Sequence, residues 1–205
     1  MYTVLYSAHI AMYKNSLKAC KTQLRRKYKT IRNNISSINR KLYSDVIVQK
    51  IFNLQEFKNA ETVFVYVNIG DEVETLEIIK KALQLGKKVA VPYCIPNTCL
   101  MDFYYIDSIN QLQKGSFGVP EPNPNCCKKA EVKKGLIIVP ALSFDLQGYR
   151  MGYGKGYYDR YLSDFFGVSV GICYSHTISK CTLRGVFDRR VNYIITEKFV
   201  KFIAK

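Results

Sequence analysis

The sequence predicts an α/β fold, with a mostly parallel sheet flanked by helices. Two observations carry this. "TVFVYVN" (62–68), "TLEIIKKALQL" (75–85, ending at Gly86) and "KKVAVPY" (87–93) read as strand, helix and strand in succession, and a βαβ unit makes its two strands parallel. The same order then resumes, because the apolar strand "GLIIVPAL" (135–142) leads through a glycine-rich loop into a helix starting near Tyr157.

Taken in order, residues 1–15 are expected to be a disordered N-terminal extension, and residues 16–205 one α/β domain. The leader "MYTVLYSAHIAMYK" lacks the positive n-region and small-residue cleavage site of a secretory signal. Its basic, acid-poor character is shared with mitochondrial transit peptides, and the plain reading is an unordered stretch before a start at Met12. Leu17, Cys20, Leu24, Tyr28, Ile31 and Ile35 recur at helical spacing, which predicts an amphipathic helix over 16–34 with Lys21 and Arg25 one turn apart on its flank. "SSIN" supplies caps for a second helix to about Asn53. Beyond the βαβ unit, "LMDFYYI" is an edge or hairpin strand and "SINQLQKG" a short helix stopped by Gly115. "GVPEPNPNCCKK", with three of the six prolines, is a surface loop. "VSVGICY" and "VNYIIT" are closing strands.

The 205 residues suffice for one well-buried core. With 48% hydrophobic and 23% charged residues the chain reads as soluble and globular, and no apolar run approaches the roughly 20 residues that cross a bilayer. The net charge is +15, and residues 1–44 hold ten Lys or Arg and no acid. Such asymmetry implies an anionic partner: nucleic acid, a membrane surface or a phosphorylated small molecule. Seven cysteines without a C-x-x-C pair argue against a disulfide framework and a zinc site, and for reduced thiols in a reducing, cytoplasmic compartment. His9 and His176 are the two histidines, in no triad or metal spacing, so Ser-His hydrolysis and His-based acid–base chemistry are disfavoured.

"RMGYGKGYYDRYL" (150–162) concentrates the chemistry. The loop follows an apolar strand and precedes a helix, which is where parallel α/β sheets place ligands. Gly152, Gly154 and Gly156 give the backbone unusual freedom and let N–H groups approach a ligand, and the following helix adds unpaired N–H groups and a positive dipole end. Arg150 and Lys155 add formal charge, so the loop reads as a cradle for a polyphosphate. Asp159, in the first helical turn, suits a magnesium ion bridging phosphate oxygens or complements the helix dipole; both readings stand at this point. The spacing G-x-G-x-G is neither the dinucleotide fingerprint nor a P-loop.

The stretch "PALSFDLQGYRMGYGKGYYDRYL" resembles the signature of the 5-formyltetrahydrofolate cyclo-ligases. The resemblance extends in order through "KTQLRRKYKTIRNNIS", "VYVNIGDEVET", "VAVPY", "MDFYYI", "GVPEP" and "DRRVNYIITE". It implies a single three-layer α/β domain, acting as a monomer, that converts 5-formyltetrahydrofolate and ATP into 5,10-methenyltetrahydrofolate, ADP and phosphate, with polyglutamylated folates as further substrates and neither nucleic acid nor membrane as partner. By motif match, ATP would be held by Lys21, Arg25, Arg150, Met151, Gly152, Tyr153, Gly154, Lys155, Gly156, Tyr157 and Tyr158. Magnesium would go to Asp159 and Asp188, and folate to Val67, Glu72 and the stretch Tyr153 to Tyr157. Arg150, Lys155 and Asp159 would carry catalysis. Tyr66, Phe103, Tyr104 and Phe117 are candidates for stacking on the pterin. The sequence departs from the family at Asn192, where an acid is usual, and at Thr177, where a glutamine is usual. A nucleic-acid-binding protein, using the basic first helix and sixteen tyrosines, is the competing reading from another class; a family member without activity is a third.

Overall fold

The computed structural model describes residues 2–115 and 118–204, with side chains from Leu17 onward. Helix α1 (Tyr2–Asn33) covers the predicted first helix and starts before it. No glycine or proline falls between residues 1 and 33, so nothing in the backbone interrupts the helical run. Ser36 caps α2 (Ser37–Asn53), its hydroxyl accepting from Asn39 N at 3.2 Å. There follow α3 (Gln55–Asn59), β1 (Thr62–Phe64), α4 (Leu76–Gln84), β2 (Lys88–Cys94), β3 (Met101–Ile106), β4 (Leu112–Lys114), β5 (Pro120–Pro122), β6 (Lys134–Pro140), β7 (Ser143–Asp145), β8 (Arg150–Met151), α5 (Tyr157–Ser163), β9 (Phe166–Ile172), β10 (Ile178–Ser179), β11 (Tyr193–Ile195) and β12 (Val200–Phe202).

The main sheet has seven strands in the order β12-β11-β9-β6-β1-β2-β3. Its five central strands are parallel, and only β12 and β3, at the two edges, run antiparallel to their neighbours. Strand β6 shows how the layers arise. Successive residues of a strand face opposite sides: Leu136 and Ile138 enter one core cluster with Ile47 and Ile51 of α2 and Ile78 and Ile79 of α4. Ile137 and Val139 enter the other, with Phe64 and Tyr161 of α5. A sheet buried on both faces is what the unbroken apolar run "LIIV" requires, and each fully buried isoleucine contributes roughly 1.5–3 kcal/mol.

Three local expectations change. "SINQLQKG" is helical for a single turn, Ile109–Gln111, closed by a capping box between Ser108 and Gln111; Leu112–Lys114 then pairs with Pro120–Pro122 as a hairpin. The proline-rich loop thus contains a strand, tolerated because a two-stranded ribbon is all edge. Strand β1 leaves the sheet after Phe64, although Val65 N still donates to Ala90 O at 2.9 Å, and residues 65–68 continue past the strand end. The chain runs from β1 to β2 on one side and from β6 to β9 on the other. The sheet therefore reverses its direction of growth between β1 and β6, and a crevice opens there beyond the carboxyl ends of the strands.

Candidate active site

A cavity of about 530 Å³ fills that crevice. Tyr66, Val67 and Glu72 reach it from the segment after β1, Pro92 and Cys94 from the end of β2, and Pro140 from the end of β6. Lys21 and Arg25 close one wall from α1 and Asp188 another. All of the residues that the resemblance assigns to nucleotide, folate and metal (Lys21, Arg25, Val67, Glu72, the unbroken run Arg150 to Asp159, and Asp188) line this one space, although they span four widely separated segments.

The glycine loop owes its path to two positions. Gly154 has φ +102°, and a Cβ there would lie 3.0 Å from the guanidinium carbon of Arg25, whose Nε donates to Gly152 O at 3.0 Å. Gly156, with φ +73°, caps the start of α5; a Cβ would lie 2.8 Å from Nη1 of Arg160, which donates to Lys155 O at 2.8 Å. Side chains other than glycine are strained at such φ, and here they would also displace the arginines that hold the loop.

At one end, two of the cations face acids. Lys21 Nζ donates to Asp188 Oδ2 at 3.3 Å, an oxygen that also accepts from Gly185 N at 2.8 Å. Arg150 Nη2 donates to Asp159 Oδ1 at 2.9 Å, and Arg189 N reaches the same oxygen at 3.1 Å. Asp159 therefore joins Arg150 to the backbone beside Asp188. Burial lowers the Arg150 guanidinium from its ordinary value and Asp159 opposes the shift; starting so far above neutrality, Arg150 stays charged.

At the other end Glu72 is 8% exposed. Its Oε2 accepts from Ile69 N at 3.2 Å and its Oε1 from the Tyr153 hydroxyl at 3.0 Å. Burial pushes this carboxyl above the usual range, against the pull of Ile69 N and Arg32. Tyr153 is itself pushed up to about 12, first by burial and then by Glu72, so it is a neutral donor at physiological pH. Arg32 Nη2 donates to the Tyr153 hydroxyl at 2.6 Å and to Asp71 Oδ1 at 2.7 Å, tying α1, the loop after β1 and the glycine loop into one network.

Arg32 and Asp71 were not anticipated, nor were Cys94 and the 3%-exposed Glu121, which line the cavity. A signal for Arg32 existed: Lys21, Arg25 and Arg32 stand at i, i+4 and i+11, one face of a helix. Of the stacking candidates, Tyr66 lines the cavity with its hydroxyl given to Val73 O at 3.0 Å. Phe103 is core, Tyr104 packs edge-on against Tyr93, and Phe117 lies outside the described residues. The two departures from the family pattern sit away from the cavity. Asn192 Oδ1 accepts from Ser169 N and Oγ, both at 2.8 Å, and the Thr177 hydroxyl donates to Tyr174 O at 2.9 Å. His176 stacks on Tyr43.

Comparison with known proteins gives one consistent result. The sequence profile of the 5-formyltetrahydrofolate cyclo-ligase family matches residues 17–179. A Caenorhabditis elegans protein named probable 5-formyltetrahydrofolate cyclo-ligase is 30% identical over 73% of this chain and 75% of its own. The mouse 5-formyltetrahydrofolate cyclo-ligase is 30% identical over 72% and 75%. The NMR structure of Aquifex aeolicus 5,10-methenyltetrahydrofolate synthetase superposes with a TM-score of 0.79 at 32% identity, covering 90% of this chain and 93% of that one. Since the matched region runs from the first helix through the glycine loop and supplies nearly every wall of the cavity, the chain belongs to the 5-formyltetrahydrofolate cyclo-ligase family.

Proposed function

We propose that the chain converts 5-formyltetrahydrofolate to 5,10-methenyltetrahydrofolate at the expense of ATP, releasing ADP and phosphate. The observation that carries this reading is the convergence of four distant motifs on one cavity that is cationic at one end and has a buried carboxylate at the other. On this reading Lys21, Arg25 and the loop Arg150 to Tyr158 hold the nucleotide. Glu72 accepts hydrogen bonds from the pterin ring, beside Val67, and the stretch Tyr153 to Tyr157 lies between the two ligands.

A formyl oxygen on nitrogen is a poor leaving group, so it first takes the γ-phosphoryl group. The neighbouring substrate amine then attacks the activated carbon and phosphate departs. Both nucleophiles belong to the substrates, which leaves the protein with positioning and charge neutralisation. Lys155 and Arg150 neutralise the charge on the transferred group, and the loop fixes the line of attack.

Asp159 and Asp188 suit magnesium by their chemistry. They are hard oxygen donors brought together by the Arg189 N bond to Asp159, and among the described residues no group of three or more His, Cys, Asp or Glu forms a metal cage. Such a pair matches an ion that shares its coordination with phosphate oxygens and waters, and which would supply charge neutralisation at the transferred phosphoryl group. Among the described residues no helix is long and apolar enough to cross a membrane, and all seven cysteines are free thiols. We place the protein in the cytoplasm as a monomer, its basic surface also serving polyglutamylated folates.

The test is direct. Purified protein is mixed with 5-formyltetrahydrofolate, magnesium and ATP, and the near-ultraviolet absorbance of the conjugated methenyl product is followed. Product that forms without ATP, or no product at all, refutes the proposal.

A further inference from the structure

Arg32 is 4% exposed and lies behind the cavity wall rather than in it. A buried guanidinium is costly unless it is paired and hydrogen-bonded, and Asp71 supplies the pairing charge at 2.7 Å. The 2.6 Å bond from Arg32 Nη2 to the Tyr153 hydroxyl has a further consequence, because it constrains a proton. A guanidinium donates and never accepts, and a phenol carries a single proton. With its oxygen accepting from Arg32, the Tyr153 hydroxyl keeps its proton for one acceptor, Glu72 Oε1 at 3.0 Å. The Arg32 guanidinium also stands 5.9 Å from the centroid of the Tyr153 ring, so the ring is held along with its hydroxyl. Glu72 Oε2 accepts from Ile69 N at 3.2 Å. Both oxygens of Glu72 thus face donors fixed by the fold.

Resting on the assignment of Glu72 to the pterin proposed above, we infer that Arg32 is a positioning residue for the folate: it directs the Tyr153 hydroxyl proton onto Glu72 and so presents Glu72 to the cavity as an acceptor-only carboxylate. An ionised carboxylate has about four acceptor sites, so one on each oxygen remains for a ligand. The edge of a pterin that carries a ring N–H beside an exocyclic amine offers two donors to match. Without Arg32 the Tyr153 hydroxyl is free to turn away, and a positive charge that favours the ionised form of Glu72 is gone. Burial already pushes this carboxyl upward, with Ile69 N and Arg32 opposing. The other groups acting on Glu72 do not replace Arg32. Asp71, on the same loop, pushes the carboxyl further up. Tyr66 after β1 and Tyr158 on α5 are phenols kept neutral, first by burial, and the Tyr174 hydroxyl donates to the Glu72 carbonyl at 3.2 Å rather than to its side chain.

The test titrates 5-formyltetrahydrofolate calorimetrically, without ATP, into wild type, Arg32→Met, Tyr153→Phe and the double variant from acid to neutral pH, with steady-state kinetics and thermal melts alongside. At neutral pH Arg32→Met should weaken folate binding roughly tenfold, the loss appearing in the KM for the folate rather than in that for ATP or in kcat. As pH falls, folate affinity should begin to drop at a pH about one unit higher in this variant than in the wild type, because Glu72 takes up its proton more readily. Tyr153→Phe should weaken binding as well, and Arg32→Met should cost less in that background, since Arg32 acts through the hydroxyl. Parallel pH profiles, additive losses or an equal rise in the KM for ATP would each overturn the role. Should Arg32→Met melt too low to assay because Asp71 is left alone, Asp71→Asn is compared with Asp71→Asn plus Arg32→Met, where no acid is stranded, and the same outcomes decide. A wild type that does not bind 5-formyltetrahydrofolate refutes the folate assignment and this inference with it. A wild type that binds it but forms no ATP-dependent product refutes the reaction alone, and the binding comparison still decides for Arg32.

Discussion

Gly154→Ala probes the glycine loop with the smallest side chain available. The alanine must adopt φ near +102°, which costs a non-glycine residue roughly 1–3 kcal/mol. Its methyl group would also stand 3.0 Å from the guanidinium carbon and 3.1 Å from Nη2 of Arg25, tighter than ordinary contact, so the arginine must shift and its 3.0 Å bond to Gly152 O must loosen. At tenfold per 1.4 kcal/mol, the backbone strain alone lowers the population of the ligand-ready loop by roughly 5- to 150-fold. That loss should appear as a rise of the same size in the apparent KM for ATP. A cycle with Arg25→Ala separates the two causes. Removing the guanidinium removes the clash, so Gly154→Ala should cost measurably less in the Arg25→Ala background than in the wild type. Effects that add within about 0.3–0.5 kcal/mol would show that the two residues act independently, and a wild-type KM in the single variant would refute the strain argument altogether.

Replacing Lys21 and Arg25 by Ala should raise the apparent KM for ATP far more than replacing Lys27 and Lys29, which are exposed and outside the cavity; a nucleic-acid stripe would instead give equal losses of RNA affinity and equal changes of salt slope for the two pairs. Asp159→Asn should lower turnover at least about tenfold and shift the magnesium titration of activity, and a superimposable titration curve would exclude a metal role. Glu72→Gln tests the buried carboxylate through pH. A carboxyl raised on folding contributes stability below its unfolded value and loses it as pH rises through the folded one, so the ionised form opposes folding at neutral pH. The variant should therefore melt above the wild type, with a gap that widens from about pH 4.5 upward while folate binding weakens, and a gap independent of pH would contradict the raised carboxyl.

The parallel sheet and the glycine loop were legible because each is a local pattern. Apolar runs of strand length, a helix ending at Gly86, and three glycines between Arg150 and Tyr157 need no knowledge of the rest of the chain. Boundaries failed where tertiary contact decides them. Gln111 caps Ser108 within one turn, yet the residues that follow it turn to strand because Pro120–Pro122 lies opposite. Asn192, a departure from the family pattern in one dimension, faces Ser169 in three. Arg32 was hidden differently. Its spacing placed it on the face of Lys21 and Arg25, but only its bonds to Asp71 and Tyr153 make it a link between the loop after β1 and the glycine loop.

The pairing at the cationic end bears on how binding would proceed. Without a ligand, Lys21 is matched by Asp188 and Arg150 by Asp159, so the cavity holds its charged side chains in place without leaving a buried charge alone, which would be strongly destabilising. A polyphosphate changes the partners. Its oxygens compete for Lys21 and Arg150 and thereby release Asp188 and Asp159, two carboxylates that then need a cation of their own. On the proposed reaction, nucleotide and metal would bind cooperatively because each frees the partner of the other, whereas metal offered alone must first break two existing ion pairs. The same logic accounts for the need for both acids at the nucleotide end. They hold the cations in position when the cavity is empty, and on the proposed reaction would bind metal when it is full. Glu72 has no such exchange available, since the Tyr153 hydroxyl and Ile69 N already satisfy one lone pair on each oxygen. On the proposed reaction its remaining lone pairs would face a neutral heterocycle rather than a phosphate, and the chemical difference between the two ends of the cavity would follow from which acids have a cation to give up.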